Sequence, residues 1–283
     1  MAATAARRLR RNSLASCHVS GTQTGMCRIA GYLGRPIALE DVLTKPPHAL
    51  RAQGLAPREL PPGMIGSDGY GVAWFAEGAR EPARYRQTLP IWVDDNLDTL
   101  APHVRSSCIV ASTRTATPDM PVAITNTPPF LAGRIALAHN GSIARFHERV
   151  VESLRAALSP GARAALRGNS DTEYLAALLG EQPHETLAAR VRAMLAFVGE
   201  RVAEARTEAA LNVIASDGDE LVAVRHGRGA DAPTLYMAVR APGDVLVASE
   251  PMNDDDEWTR LAEGTLLAAR RGQPPRIERL FES

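Results

Sequence analysis

The sequence predicts an α+β fold with mainly antiparallel sheets. Short apolar segments rich in β-branched or aromatic residues stand on both sides of a central block whose apolar residues recur at helical spacing. Runs of strands, then helices, then strands again favour layers of sheet and helix. The chain has 283 residues, of which 45% are hydrophobic and 23% charged, so it can bury a large core. We find no internal repeat or interior linker.

The predicted strands and helices follow one another in three blocks. The first block has four strands, at residues 29–33, 70–76, 109–112 and 135–139. Three helices come next, at residues 146–158, 172–179 and 187–205. Asp171 stands where the N-cap of the second helix is expected, and Pro183 separates the second helix from the third. The last block has four strands, at residues 211–215, 221–224, 235–239 and 245–248, and a hairpin turn across residues 216–219 joins its first two.

Composition excludes several classes of protein. The 32 Lys and Arg residues balance 32 Asp and Glu residues, so a strongly basic nucleic-acid-binding protein is not expected. No stretch reaches the roughly 18 consecutive apolar residues of a membrane-spanning helix. Three cysteines cannot form a fully paired disulfide framework, so a reducing cytoplasm is the default location. The sequence leaves the oligomeric state open.

The first 26 residues differ from all that follows. They carry four arginines between residues 7 and 11, no acidic residue and no periodic apolar pattern. Only Leu14 and Ala15 stand where a secretory signal would need roughly 7 to 15 apolar residues. We therefore expect residues 1–26 to be a disordered leader or a misassigned start, followed by one domain of residues 27–283.

Cys27 is the candidate nucleophile. A cysteine attacks as the thiolate, so a base must lie near the sulfur. When a cysteine is the first residue of a chain, its own α-amine, with a pKa of roughly 7.7 to 8.0, can serve as that base. Translation from Met26 followed by methionine removal would expose this amine. Taken alone, the pattern is more typical of an inert buried cysteine.

Three further positions bear on the chemistry. Asn140 and Gly141 follow a predicted strand, where a side-chain amide and a backbone N–H can form an oxyanion hole, although an ordinary Asn-Gly turn is the alternative. Arg114 ends another predicted strand and suits bidentate binding of a carboxylate, with a surface salt bridge as the alternative. Asp171 begins a helix whether or not it also binds an ammonium group.

In this order, these segments resemble the glutaminase domain of class II glutamine amidotransferases, members of the N-terminal-nucleophile hydrolase superfamily. The resemblance runs from Cys27 nearly to the C-terminus. Within that family the chain is similar to the γ-glutamyl hercynylcysteine sulfoxide hydrolases of ergothioneine biosynthesis. The motifs that carry this similarity are Met26-Cys27-Arg28, Tyr32-Leu33-Gly34, Pro47-His48-Ala49-Leu50, Asp68-Gly69-Tyr70-Gly71-Val72-Ala73-Trp74, Pro90-Ile91-Trp92, Ala248-Ser249-Glu250-Pro251 and Trp258.

The resemblance implies a four-layer αββα sandwich with Cys27 at the end of the first strand. It also implies that the Cys27 thiolate attacks a γ-glutamyl amide while Asn140 and the Gly141 N–H stabilise the oxyanion. Arg114 would bind the substrate's α-carboxylate and Asp171 its α-ammonium. Several amidotransferases carry a histidine where this chain has Pro118, so substrate contacts near Thr117 are expected to differ.

Three functions remain open at this point. The first is a stand-alone amidohydrolase that releases glutamate from a small γ-glutamyl substrate, with no cofactor and no metal, and it is favoured because no synthase domain follows the last predicted strands. The second is a glutaminase subunit that supplies ammonia to a separate synthase. The third is a non-enzymatic binding subunit whose Cys27 is blocked by the leader. Tyr70, Trp74 and Trp92 are candidate walls for a quaternary ammonium group, although core packing is favoured for each.

Overall fold

The structure is a computed structural model that describes residues 27–61, 63–117, 120–241 and 243–281. The expected leader, residues 1–26, and Pro118 lie outside the described residues. Fourteen strands run through the described part of the chain: β1 Arg28–Ala38, β2 Tyr70–Trp74, β3 Ala83–Gln87, β4 Arg105–Thr113, β5 Phe130–Ala132, β6 Ile135–Ile143, β7 Ala209–Ser216, β8 Glu220–Arg225, β9 Gly227–Arg228, β10 Tyr236–Ala241, β11 Asp244–Ala248, β12 Thr259–Arg260, β13 Thr265–Arg270 and β14 Arg276–Arg279.

The strands form two sheets in which neighbouring strands pair antiparallel. The first sheet has the order β12-β10-β11-β1-β4-β2-β3, which places β1 at its centre. The second sheet has the order β14-β13-β8-β7-β6-β5, with β9 paired to β7. The strand that follows Cys27 therefore has hydrogen-bonded neighbours on both sides.

Seven α-helices lie in the described residues: α1 Glu40–Leu43, α2 Leu50–Leu55, α3 Asp95–Leu100, α4 Val151–Ala157, α5 Pro160–Ala165, α6 Asp171–Gly180 and α7 Leu187–Glu204. A π-helical turn, Phe146–Val150, leads into α4, and short 3₁₀ turns occupy Ile91–Val93 and Ile124–Asn126. Among the described residues, no helix combines the length and the apolar character that a bilayer crossing requires.

Three apolar clusters separate four layers of secondary structure. Alternate residues of β1 point to opposite faces of the first sheet. Ala30 belongs to the cluster that α1, α2 and α3 cover, whereas Ile29 packs between the two sheets with Ile214 of β7. The third cluster joins the outer face of the second sheet to α4, α6 and α7. The layers are therefore helix, sheet, sheet and helix.

A glycine in β1 allows the two sheets to approach each other closely. A Cβ atom added to Gly31 would lie only 2.7 Å from Cγ2 of Ile214. Any larger residue would push the sheets apart a few positions from Cys27.

The predicted α+β class with antiparallel sheets is confirmed, but two local predictions are wrong. The strand predicted to end at residue 139 continues to Ile143, because β7 pairs with it through the whole Asn-Gly segment. The N-cap of α6 is Ser170, whose hydroxyl accepts a hydrogen bond from the Glu173 N–H, so Asp171 is the first residue inside the helix. The predicted hairpin across residues 216–219 does join β7 to β8.

Candidate active site

A cavity of about 470 Å³ brings most of the predicted site residues together. Cys27, Arg114, Thr117, Gly141 and Asp171 all line it. They come from the start of β1, the loop after β4, the strand β6 and the first turn of α6. Asn140, the remaining predicted residue, lies between two lining residues of β6 but is itself buried below the cavity surface.

The Cys27 thiol is partly buried and lies immediately before the start of β1. Its Sγ lies 3.8 Å from the carbonyl oxygen of Thr115. Burial raises the pKa of the Cys27 thiol above its ordinary value, and the positive charges of Arg114 and Arg28 offset part of that increase. At neutral pH the sulfur therefore keeps its proton unless a base removes it.

A buried ion pair holds the chain next to Cys27. The Arg28 side chain is 1% exposed, and its Nε lies 3.4 Å from Oε1 of Glu250. Glu250 accepts hydrogen bonds from the backbone N–H groups of Arg58 and Glu59, at 2.8 and 3.1 Å, and its Oε2 lies 2.6 Å from Nε2 of His48. These contacts tie the first residues of β1 to two distant segments. Arg28, His48 and Glu250 belong to motifs found in the sequence, but the sequence assigned no role to them.

Asn140 and Gly141 lie inside β6. The Nδ2 of Asn140 donates to the Ser249 hydroxyl at 3.4 Å, and its Oδ1 has no hydrogen-bond partner among the described residues. Gly141 has φ of 155°, and a Cβ atom there would overlap the Ala210 carbonyl. Only glycine therefore fits at this position of the strand.

Arg114 follows β4 and is 5% exposed, so the alternative of a surface salt bridge is wrong. Its guanidinium donates to two backbone carbonyls, Asp68 at 3.5 Å and Pro121 at 3.3 Å. None of the ion pairs between described residues involves Arg114. Burial lowers the pKa of the guanidinium, which nevertheless remains charged at neutral pH. A carboxylate bound in the cavity would pair with this positive charge.

Asp171 presents a carboxylate to the same cavity. One of its oxygens accepts the Ile143 N–H at 3.0 Å, and the other accepts the Thr172 N–H at 2.7 Å. These two bonds fix the orientation of the carboxylate and leave lone pairs for a further donor. Arg114 and Asp171 thus offer a cation and an anion to one cavity, which matches the two charges of an amino-acid head group.

Several residues that line the cavity were not predicted from the sequence to belong to the site. His139 lines the cavity, with Nδ1 3.2 Å from the Thr172 hydroxyl and Nε2 2.9 Å from the Ala210 carbonyl, so it connects β6, β7 and α6. Phe146 and His147 add aromatic groups to the wall. Because they belong to a turn after β6, only the three-dimensional fold brings them here.

The three candidate aromatic walls pack in the core, the role that the sequence favoured for each. Tyr70, Trp74 and Trp92 pack in the outer cluster of the first sheet and do not line the cavity. Cys108 is fully buried, with Sγ 2.9 Å from the Ser216 hydroxyl, as expected for a small core residue.

A second cavity, of about 800 Å³, lies near the edge strands β3 and β5 and is lined by residues of α5 and α6. It is larger than the first, but Cys27 does not line it. We therefore place the candidate chemistry in the smaller cavity.

Two antiparallel sheets lie between helical layers, and a cysteine stands at the start of a central strand. This arrangement indicates the class of protein to which the chain belongs. A sequence model described as class II glutamine amidotransferases matches residues 49–244. The chain belongs to this family.

The chain is also similar to individual proteins of known sequence or structure. The chain is 36% identical over 233 residues to γ-glutamyl-hercynylcysteine sulfoxide hydrolase of Mycobacterium tuberculosis, covering 82% of this chain and 88% of the relative. The enzyme of the same name from Mycolicibacterium smegmatis is 33% identical over 246 residues, covering 87% and 96%. Among solved structures, a glutamine aminotransferase class-II domain protein from Silicibacter pomeroyi is 27% identical, with a TM-score of 0.67 over 90% of this chain and 100% of that one. Glutamine phosphoribosylpyrophosphate amidotransferase from B. subtilis, 18% identical with a TM-score of 0.66 over 91% of this chain and 50% of that one, shares the fold.

Proposed function

We propose that the chain is an amidohydrolase that cleaves the γ-glutamyl amide of γ-glutamyl hercynylcysteine sulfoxide in ergothioneine biosynthesis. The observation that carries the proposal is one cavity that holds a thiol, a buried guanidinium that donates to backbone carbonyls and an oriented carboxylate. The hydrolases named above support the choice of substrate, since they match most of this chain. A free thiol nucleophile needs a reducing environment, so the proposal includes a cytoplasmic location.

The glutamyl half of the substrate would be bound by charge. Arg114 would hold the α-carboxylate with two parallel N–H donors, and Asp171 would accept a hydrogen bond from the α-ammonium. Thr117 lines the same cavity as Arg114 and would contact the bound glutamyl group. This pair of charges would select a γ-glutamyl group over other acyl groups.

The reaction would then take two steps. The α-amine of an N-terminal Cys27 accepts the thiol proton, and the sulfur attacks the γ-carbonyl carbon. The Asn140 amide and the Gly141 N–H donate to the oxyanion. Collapse of this intermediate breaks the C–N bond, and the amine leaves with the proton. Water finally attacks the γ-glutamyl thioester, which releases glutamate and restores the thiol.

The experiment is a comparison of kcat/KM for two amides, with protein that begins at Cys27 and without added metal or nucleotide. We expect γ-glutamyl hercynylcysteine sulfoxide to be hydrolysed at least about tenfold more efficiently than glutamine, because contacts to the amine half strengthen transition-state binding. The Cys27→Ala variant is the control and should be inactive on both. Equal kcat/KM for the two amides would instead favour a glutaminase that supplies ammonia to a separate synthase.

A further inference from the structure

The side chain of Ser249 joins the strand of the nucleophile to Asn140. Ser249 follows β11, and its backbone N–H donates to the Ile29 carbonyl at 2.9 Å. In return the Ile29 N–H donates to the Ser249 hydroxyl at 3.0 Å. The same hydroxyl lies 3.4 Å from Nδ2 of Asn140. The buried hydroxyl oxygen of Ser249 therefore bonds both to Ile29, two positions after Cys27, and to the Asn140 amide, which is proposed to stabilise the oxyanion.

The amide of Asn140 has one free end. Both Asn140 and Ser249 are fully buried, and the Ser249 hydroxyl is the hydrogen-bond partner of the Asn140 side chain among the described residues. Ser249 therefore holds the Nδ2 end of the amide, and Oδ1 is the end without a partner among the described residues.

A serine hydroxyl can present the amide in the orientation that catalysis needs. Because a hydroxyl both donates and accepts, Ser249 can bond to Ile29 and to Asn140 at the same time. Its oxygen accepts the Ile29 N–H and one N–H of the Asn140 amide, and its own proton points to the Ile29 carbonyl at 3.4 Å. This arrangement uses one N–H of the Asn140 NH₂ group and leaves the second for an oxyanion.

We propose that Ser249 is a positioning residue: it accepts one N–H of the Asn140 amide and so holds the second N–H toward the oxyanion. The inference rests on the oxyanion role of Asn140 in the proposed function. Ser249 does not touch the substrate in this role; it acts through Asn140, and Asn140 alone touches the reacting oxygen.

The test begins with Ser249→Ala in protein that starts at Cys27. We expect kcat for glutamine or γ-glutamyl hercynylcysteine sulfoxide to fall tenfold or more, while KM changes less than threefold, because glutamyl binding depends on Arg114 and Asp171. The rate of Cys27 alkylation by iodoacetamide should stay within twofold of wild type, since alkylation forms no oxyanion.

Ser112→Ala is the matched control. Ser112 is also fully buried and lies opposite Ile29 on β4, but its hydroxyl donates to the Thr113 carbonyl and has no bond to Asn140. The same loss of a buried hydroxyl beside β1 should leave kcat within twofold of wild type.

A double variant separates positioning from general support of the fold. If Ser249 acts through Asn140, adding Ser249→Ala to Asn140→Ala should lower kcat by less than twofold further. If Ser249 only supports the fold, Ser249→Ala should lower kcat by the same factor in the wild-type protein and in the Asn140→Ala variant. If Ser249→Ala does not yield folded protein, Ser249→Cys replaces it, because a thiol of similar size is only a weak hydrogen-bond acceptor.

The outcomes distinguish the two proposals. A kcat within tenfold of wild type for the Ser249 variant, or equal factors in the two backgrounds, would overturn the role of Ser249. Activity on glutamine but not on the sulfoxide would refute the proposed substrate while leaving the test of Ser249 intact. A wild-type protein that hydrolyses neither amide would refute the proposed function and the role of Ser249 with it.

Discussion

At the scale of single residues, charge and burial decide what the cavity can bind. Arg114 was predicted from its place after an apolar strand, and the structure places it on the cavity, where it donates to the backbone carbonyls of Asp68 and Pro121. The sequence could not show that its side chain is buried, because burial depends on two separate loops, one containing Asp68 and the other Pro121. Nor could it show Ser249 beside Asn140, since the two are 109 positions apart.

Arg114→Lys should impair the enzyme more than the retained charge suggests. A lysine ammonium cannot form the two parallel hydrogen bonds of a guanidinium with a carboxylate, so kcat/KM should fall by about tenfold or more. Steady-state kinetics with a γ-glutamyl amide measures this. The control is Arg105→Lys at the exposed start of the same strand, whose guanidinium bonds the Pro36 carbonyl and which should leave kcat/KM unchanged. Unchanged kinetics for Arg114→Lys would remove Arg114 from the site.

At the scale of elements, the sequence predicted apolar strands rich in β-branched or aromatic residues and missed strands of other composition. The edge strand β3 carries arginines at 84 and 86, and all four residues of β14 are exposed, so neither shows the alternation of a half-buried strand. Residues 265–270, the strand β13, contain Leu and Ala, which favour helices; pairing with β8 overrides that preference. In the same way, pairing with β7 keeps Asn140 and Gly141 extended despite the turn preference of Asn-Gly.

Asp94 stabilises one of the helices that the sequence missed. It is the N-cap of α3, where its side chain accepts the Asn96 N–H at 3.0 Å, and it also accepts the hydroxyls of Tyr70 at 2.6 Å and Tyr85 at 2.7 Å. Asp94→Ala should lower the free energy of unfolding at pH 7 by about 1 to 3 kcal/mol, because it removes the cap and leaves a buried tyrosine hydroxyl without its partner. Urea unfolding measures the change.

The contribution of Asp94 should depend on pH. Burial acts to raise the pKa of this carboxyl, but the hydrogen bonds from Tyr70, Tyr85 and Asn96 outweigh it and hold the pKa below its ordinary value. The stabilisation is therefore present above the ordinary pKa of about 3.9 and is lost as the pH falls through the lower value in the folded state. Asp95→Ala, at the exposed next position, is the control. An Asp94→Ala variant as stable as the Asp95→Ala control at pH 7 would show that the cap contributes nothing.

At the scale of the whole molecule, the order of strands and helices was enough to predict an α+β class, whereas the four layers came from the resemblance to a family. Periodicity in residues 29–33 shows which residues alternate, but not that Ile29 meets a second sheet while Ala30 meets helices. The cavity follows from the same arrangement. Its lining comes from segments as far apart as Cys27 and Asp171, which only the packing of two sheets brings together.

Activity also requires a base that can remove the proton from the Cys27 thiol. The raised pKa of the Cys27 thiol calls for a base, and we propose that the amine of an N-terminal Cys27 supplies it. Residues 1–26 attached through a peptide bond would turn that amine into an amide that accepts no proton.

The most direct measurement is mass analysis of Cys27 peptides after the enzyme, mixed with γ-glutamyl hercynylcysteine sulfoxide, is quenched in acid. We predict a γ-glutamyl thioester on Cys27 in protein that begins at this residue, and neither adduct nor turnover in protein that retains residues 1–26. An adduct on Cys108, or full turnover by protein whose sole N-terminus is Met1, would contradict the assignment of Cys27 as an N-terminal nucleophile.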